Sequence, residues 1–148
     1  MTTVSTPSDR QQLSWMLDQI KNLNGVSYVL VLSSDGLPIA QCTDLDQDTA
    51  DSVAAAAAGY CSIGKALGQF GGGPMRQCMG EYENAVVLVT SVAENSLLLV
   101  QCTHDAVISV VAGAMESMAP NMAEHLASKA RSGGAGSAAL SFGTAGQS

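Results

Sequence analysis

From Asn24 to Cys42 the chain reads NGVSYVLVLSSDGLPIAQC, a β-hairpin spelled out in its own residues. Val26 to Leu32 is a β-branched and aliphatic run, Asp35-Gly36 is a strong tight-turn signal, and Leu37 to Cys42 resumes an extended pattern. Glycine supplies the positive φ that such a turn needs. Pro38 has no N–H to give to a ladder, which places the second strand at a sheet edge. The first strand is apolar on both faces, so it belongs inside a sheet covered by helices on both sides.

The flanking segments supply those helices. A first helix is expected to open at Ser8 or Asp9, after Pro7 and with Gln11 completing a capping box, and to close at Asn24-Gly25. Its apolar positions Leu13, Met16, Leu17, Ile20 and Leu23 fall on one stripe. Trp15, the only tryptophan, lies off that stripe: it is either a partner contact or a ring folded over the helix edge.

The second helix, Asp46 to about Phe70, divides into three arcs. Val53, Tyr60, Ile63, Leu67 and Phe70 form a bulky stripe suited to the sheet; Gln47, Asp51, Ser62, Lys65 and Gln69 form a polar one. Between them run Ala50, Ala54, Ala57, Cys61, Gly64 and Gly68, small residues that let another backbone approach closely. This arc either packs on the protein's own sheet or meets a second copy of the helix, and it is the candidate dimer or partner interface. Gly71-Gly72-Gly73-Pro74 ends the helix.

Three more strands are expected at Met75 to Tyr82, Ala85 to Ser91 and Leu97 to Cys102. AVVLV and LLLV are apolar on both faces and read as interior strands. MRQCMGEY carries Arg76, Gln77 and Glu81 and reads as an edge strand, which must be covered, charged or paired with another chain. Arg76 therefore joins the interface candidates. The last helix, Asp105 to about Arg131, presents Val107, Val111, Met115, Met118, Met122 and Leu126 as a core stripe, with Pro120 on the outward face. The division expected is a flexible start at 1–8, one domain at 9–131, and a Gly/Ser/Ala-rich tail at 132–148 without fixed structure.

Other classes of function find little support. A length of 148 residues suits one domain, and a net charge of −7 with six scattered Lys and Arg offers no grip on nucleic acid or anionic lipid. The start, MTTVSTPSDR, lacks a secretion signal's basic and apolar regions, and no apolar run reaches membrane-spanning length, so a cytoplasmic setting is expected. Cys42, Cys61, Cys78 and Cys102 have no CxxC or His at metal-ligand spacing and read as buried free thiols, with no metal or cofactor expected. GYCSIGKA at Gly59 to Ala66 falls short of a P-loop: Ala66 has no hydroxyl for magnesium, and the segment lies inside a helix. His104-Asp105 are adjacent and rarely face one another, Asp105 being explained by the helix N-terminus. His125, Glu116 and Glu124 read as solvated, and no nucleophile elbow is present. No catalytic residue is proposed.

The order of helix, hairpin, helix, strands and helix, together with Gly25-Val26, Val29 to Leu32 and Ser33-Ser34-Asp35-Gly36-Leu37, resembles the roadblock/dynein light chain family over residues 9 to 130. The Asp-Gly hairpin is similar to that of bacterial, actinobacterial-type members. The resemblance implies a three-layer α+β domain: a five-stranded antiparallel sheet in the order 2-1-5-4-3, with the first and last helices on one face and the second on the other. It implies a two-fold homodimer through the third strand and second helix. It further implies a non-enzymatic regulator or scaffold of a Ras-like small GTPase in a bacterial signalling complex, with a sensor-kinase-like protein encoded alongside as a further partner. The alternative is a small-molecule-sensing or interaction module without GTPase regulation, because related three-layer folds house ligands between helix and sheet.

Overall fold

A computed structural model describes the backbone over residues 2–147 and the side chains over residues 11–127. The elements are α1 (Thr2–Lys21), β1 (Val26–Ser33), β2 (Pro38–Gln41), α2 (Gln47–Leu67), β3 (Gln77–Glu81), β4 (Val86–Ala93), β5 (Ser96–Cys102) and α3 (Ile108–Gln147). The five strands form one antiparallel sheet in the order β2-β1-β5-β4-β3. The interior and edge assignments read from the sequence hold: β1, β5 and β4 are central, and β2 and β3 are the edges.

The hairpin closes as its residues demand. Gly36 takes φ +92° and donates its N–H to the Ser33 carbonyl at 2.9 Å, while Ser33 N–H reaches the Leu37 carbonyl at 2.8 Å. At the end of α1, Gly25 (φ +86°) is required twice over, because a Cβ there would also stand 2.6 Å from the Ala106 nitrogen. That approach brings the end of α1 beside the start of α3, and the two helices pack together on one face of the sheet. Leu13, Leu17 and Ile20 from α1, with Val111, Met115 and Met122 from α3, are buried against the sheet. Asp18 of α1 accepts from Thr43 N–H (3.1 Å) and Thr43 Oγ1 (2.6 Å), tying the helix to the chain beyond β2.

On the other face, Asp46 caps α2 by accepting from Thr49 N–H at 2.9 Å. The helix crosses the sheet with Ala55 and Ala58 beside Gly36 and with Gly64 beside Met75 and Cys78. It ends in a π turn, Gly68–Gly72, closed by Gly73 N–H to the Gly68 carbonyl at 2.8 Å.

Both outer helices overrun their expected bounds. α1 begins at Thr2, ahead of the Ser8 cap, and α3 continues to Gln147, past Arg131. The side chains of the expected start (1–8) and tail (132–148) lie outside the described residues. α3 also begins three residues later than Asp105. Thr103 to Val107 forms turns instead, since Thr103 Oγ1 and its carbonyl take the N–H groups of Asp105 and Ala106. Asp105 therefore precedes the helix, and Val107, expected on the core stripe, is 58% exposed. Pro120 lies inside α3 on its exposed side, as expected.

Candidate functional site

The arcs of α2 face the opposite way from the expectation. Ala50, Ala54, Ala57 and Cys61 lie against the protein's own sheet and are at most 5% exposed, and Gly64 and Gly68 are half-buried. Of the two alternatives for the small arc, Ala50, Ala54, Ala57 and Cys61 take the first, packing on the protein's own sheet. The reason is complementary bulk. Strand alternation turns Leu30, Leu32, Leu97 and Leu99 towards α2, and a sheet that already supplies large side chains accepts a helix face of small ones.

What turns outward is the bulky stripe beyond Val53, which itself packs half-buried against the core. Tyr60, Ile63, Leu67 and Phe70 are 37%, 67%, 68% and 87% exposed. Four large apolar side chains in a row are more than the scattered exposed residues of an ordinary surface. Beside them runs β3, paired only with β4 and open along its other edge. Tyr82, just past β3, is exposed as well. An apolar helix face next to an unpaired strand edge offers both area to bury and backbone groups to pair.

Between α2 and the open end of the sheet lies a cavity of about 310 Å³, lined mainly by Tyr28, Val53, Tyr60, Tyr82, Val87 and Leu99. Tyr28 Oη donates to Gln101 Oε1 at 2.7 Å on its floor. Burial raises the pKa of Tyr28, and the Tyr60 pKa is raised by burial and then by Tyr82, Cys78 and Cys61. Both phenols therefore stay neutral at ordinary pH. The cavity exists because α2 covers only part of this face, contrary to the expectation that both faces of β4 are covered.

On the opposite face an open groove of about 660 Å³ separates β3 and β4 from α3, between Arg76, Gln77 and Thr90 on one side and Glu116 and Pro120 on the other. Arg76 is exposed and immediately precedes β3. Trp15 is 62% exposed. His104 has a role that sequence reasoning missed: Nε2 lies 2.9 Å from the Tyr82 carbonyl and 3.0 Å from the Glu83 carbonyl. Two acceptors require that nitrogen to carry the proton, so the imidazole pins the β3–β4 turn. Its Nε2 is taken up by these two structural contacts. His125 is half-buried, while Glu116 and Glu124 are exposed as expected. Gly59 to Ala66 is helical, which removes the P-loop reading. Among the described residues, no three His, Cys, Asp or Glu side chains are grouped to hold a metal ion, and no helix is long and apolar enough to cross a membrane.

Comparison with known proteins follows the same lines. The Roadblock/LC7 domain family model matches residues 14–102. A crystal structure of a Roadblock/LC7 domain from Streptomyces avermitilis is 27% identical and superposes with a TM-score of 0.66, over 74% of this chain and 96% of that one. The gliding protein MglB from Thermus thermophilus is 17% identical with a TM-score of 0.71, over 79% of this chain and 90% of that one. Myxococcus xanthus MglB is 14% identical with a TM-score of 0.72, over 79% and 96%. At these lower identities the likeness is one of fold. Comparison with curated proteins gave no match.

Proposed function

Since the chain belongs to the Roadblock/LC7 family, we propose that it is a homodimeric regulator or scaffold whose partner is a Ras-like small GTPase, and that it has no catalytic activity of its own. The observation that carries this reading is the apolar strip of Tyr60, Ile63, Leu67 and Phe70 alongside the unpaired edge of β3. Pairing two β3 edges about a two-fold axis continues the sheet from one chain into the next and lays the two α2 strips against each other. One self-complementary contact thus buries both the apolar face and the open ladder. The net charge of −7 keeps the rest of the surface from associating without specificity.

In this account the dimer is a rigid platform. Hydrolysis chemistry belongs to the GTPase, and the platform acts by selecting one arrangement of its switch loops. Trp15 on α1 and the groove between Arg76 and α3 lie off the α2 strip, and they are the surfaces assigned to the GTPase in this reading. The setting is a bacterial cytoplasmic signalling complex, with a sensor-kinase-like protein as a further partner. The test is retention of a small GTPase from a native lysate on the immobilised dimer, run with GDP or a non-hydrolysable GTP analogue. Retention of a GTPase in one nucleotide state supports the reading. Equal recovery in both states, or no GTPase at all, contradicts it.

The cavity under α2 favours a second reading, a sensor of a small apolar molecule carrying a hydroxyl or carbonyl for the Tyr28–Gln101 pair. That protein would rise in melting temperature with a metabolite and retain no GTPase.

A further inference from the structure

Three sulfur atoms meet where α2 crosses the edge of the sheet. Cys78 on β3 donates its thiol to the Met75 thioether across 2.9 Å, and the buried Cys61 lies one turn before Gly64 of α2, the residue that stands against both sulfurs. Gly64, one turn beyond Cys61, gives them room: a Cβ there would stand 2.6 Å from Met75 Sδ and 2.9 Å from Cys78 Sγ. Cys61 is buried, while Cys78 and Met75 are half-buried. The cluster is therefore dry on one side and reachable on the other.

We propose that Cys61, Cys78 and Met75 form a binding site for a soft monovalent metal ion, Cu(I). Thiolates and thioethers are the ligands that favour Cu(I), whereas oxygen and nitrogen donors suit harder divalent ions. As the ion binds, each of the two thiols gives its proton to solvent and forms a metal–sulfur bond. The neutral thioether completes a three-sulfur set, two protons are released, and no oxidation occurs. Sulfurs sharing one ion at bonds of about 2.3 Å stand roughly 4 Å apart, so the Cys78–Met75 pair opens by about 1 Å on binding. Met75 can supply that movement, being unbranched and rich in torsions. The site would cross-link α2 to β3 within one chain and stands whether or not two chains pair.

The test is anaerobic titration of the reduced full-length chain with Cu(I) supplied as its coloured bicinchoninate complex. Wild type should withdraw one Cu(I) per chain. Cys61→Ser and Cys78→Ser should each weaken uptake by about a hundredfold, and Met75→Leu by about tenfold. Gly64→Ala, which keeps every sulfur but fills their space, should weaken it too. Circular dichroism checks that each variant folds; Met75→Leu and Gly64→Ala decide the matter if a cysteine variant does not. No withdrawal by wild type, or equal withdrawal by wild type, Met75→Leu and Gly64→Ala, overturns the proposal.

Discussion

Tyr60 lays its hydroxyl over Gly80, in the place where any side chain would have to stand: a Cβ on Gly80 would lie 2.6 Å from Tyr60 Oη. The contact locks an exposed ring of α2 to the edge strand β3, so the two elements that offer the apolar strip and the open edge are held in one geometry. Gly80→Ala should push Tyr60 outward and misshape the proposed interface. We expect dimerisation to weaken about tenfold, the scale of a modest overpacking. Tyr60→Phe removes the crowding oxygen and should restore most of the loss in the double variant. A sedimentation double-mutant cycle over the two positions reads this coupling, and additive effects would show that the contact is incidental.

Arg76 tests how a GTPase would be accelerated. Among the arginines, Arg10 lies in α1 and Arg131 in the extended α3, whereas Arg76 is exposed beside β3 and lines the groove facing Glu116. If the protein works by selecting a switch conformation, Arg76→Ala should stay dimeric and leave single-turnover GTP hydrolysis by the partner within a few-fold of wild type. A loss of about a thousandfold, the scale of a missing arginine finger, would assign the chemistry to this side chain instead.

The tail offers a simpler check. Residues 132–148 contain only Leu140 and Phe142 as large apolar side chains. Truncation after Arg131 should leave the melting temperature and the dimer nearly unchanged, because so little apolar area is lost. A fall of several degrees would mean that Leu140 and Phe142 dock.

The topology was legible because the signals that set it are local. Asp35-Gly36 fixes a hairpin within a few residues, Pro38 and the charges of β3 mark edges, and continuous apolar runs mark the interior strands. The faces of α2 were not legible, for a definite reason. Periodicity groups Tyr60, Ile63 and Leu67 on one side and Ala54, Ala57 and Cys61 on another, but it does not say which side meets the sheet. That choice depends on the leucines of β1 and β5, which already place large side chains on the sheet face beneath the helix. The start of α3 was misplaced because Thr103 takes the N–H groups of Asp105 and Ala106 into a turn ahead of the helix. The His104 clamp and the Cys61–Cys78–Met75 cluster join residues of different elements, and nothing in local spacing announces either.

The reversal of the two α2 faces separates stability from assembly. Ala57→Arg places a charge where 5% of the residue is exposed, and should destabilise the fold itself by several kcal/mol. Leu67→Arg, at a position 68% exposed, should leave the single chain folded. The decisive measurement is sedimentation velocity at micromolar concentration on wild type and on the double variant Leu67→Arg/Phe70→Arg, each checked by circular dichroism. The account predicts that wild type sediments with twice the mass of one chain and that the double variant is a folded monomer. A wild-type monomer, or a double variant that remains a dimer, would contradict it.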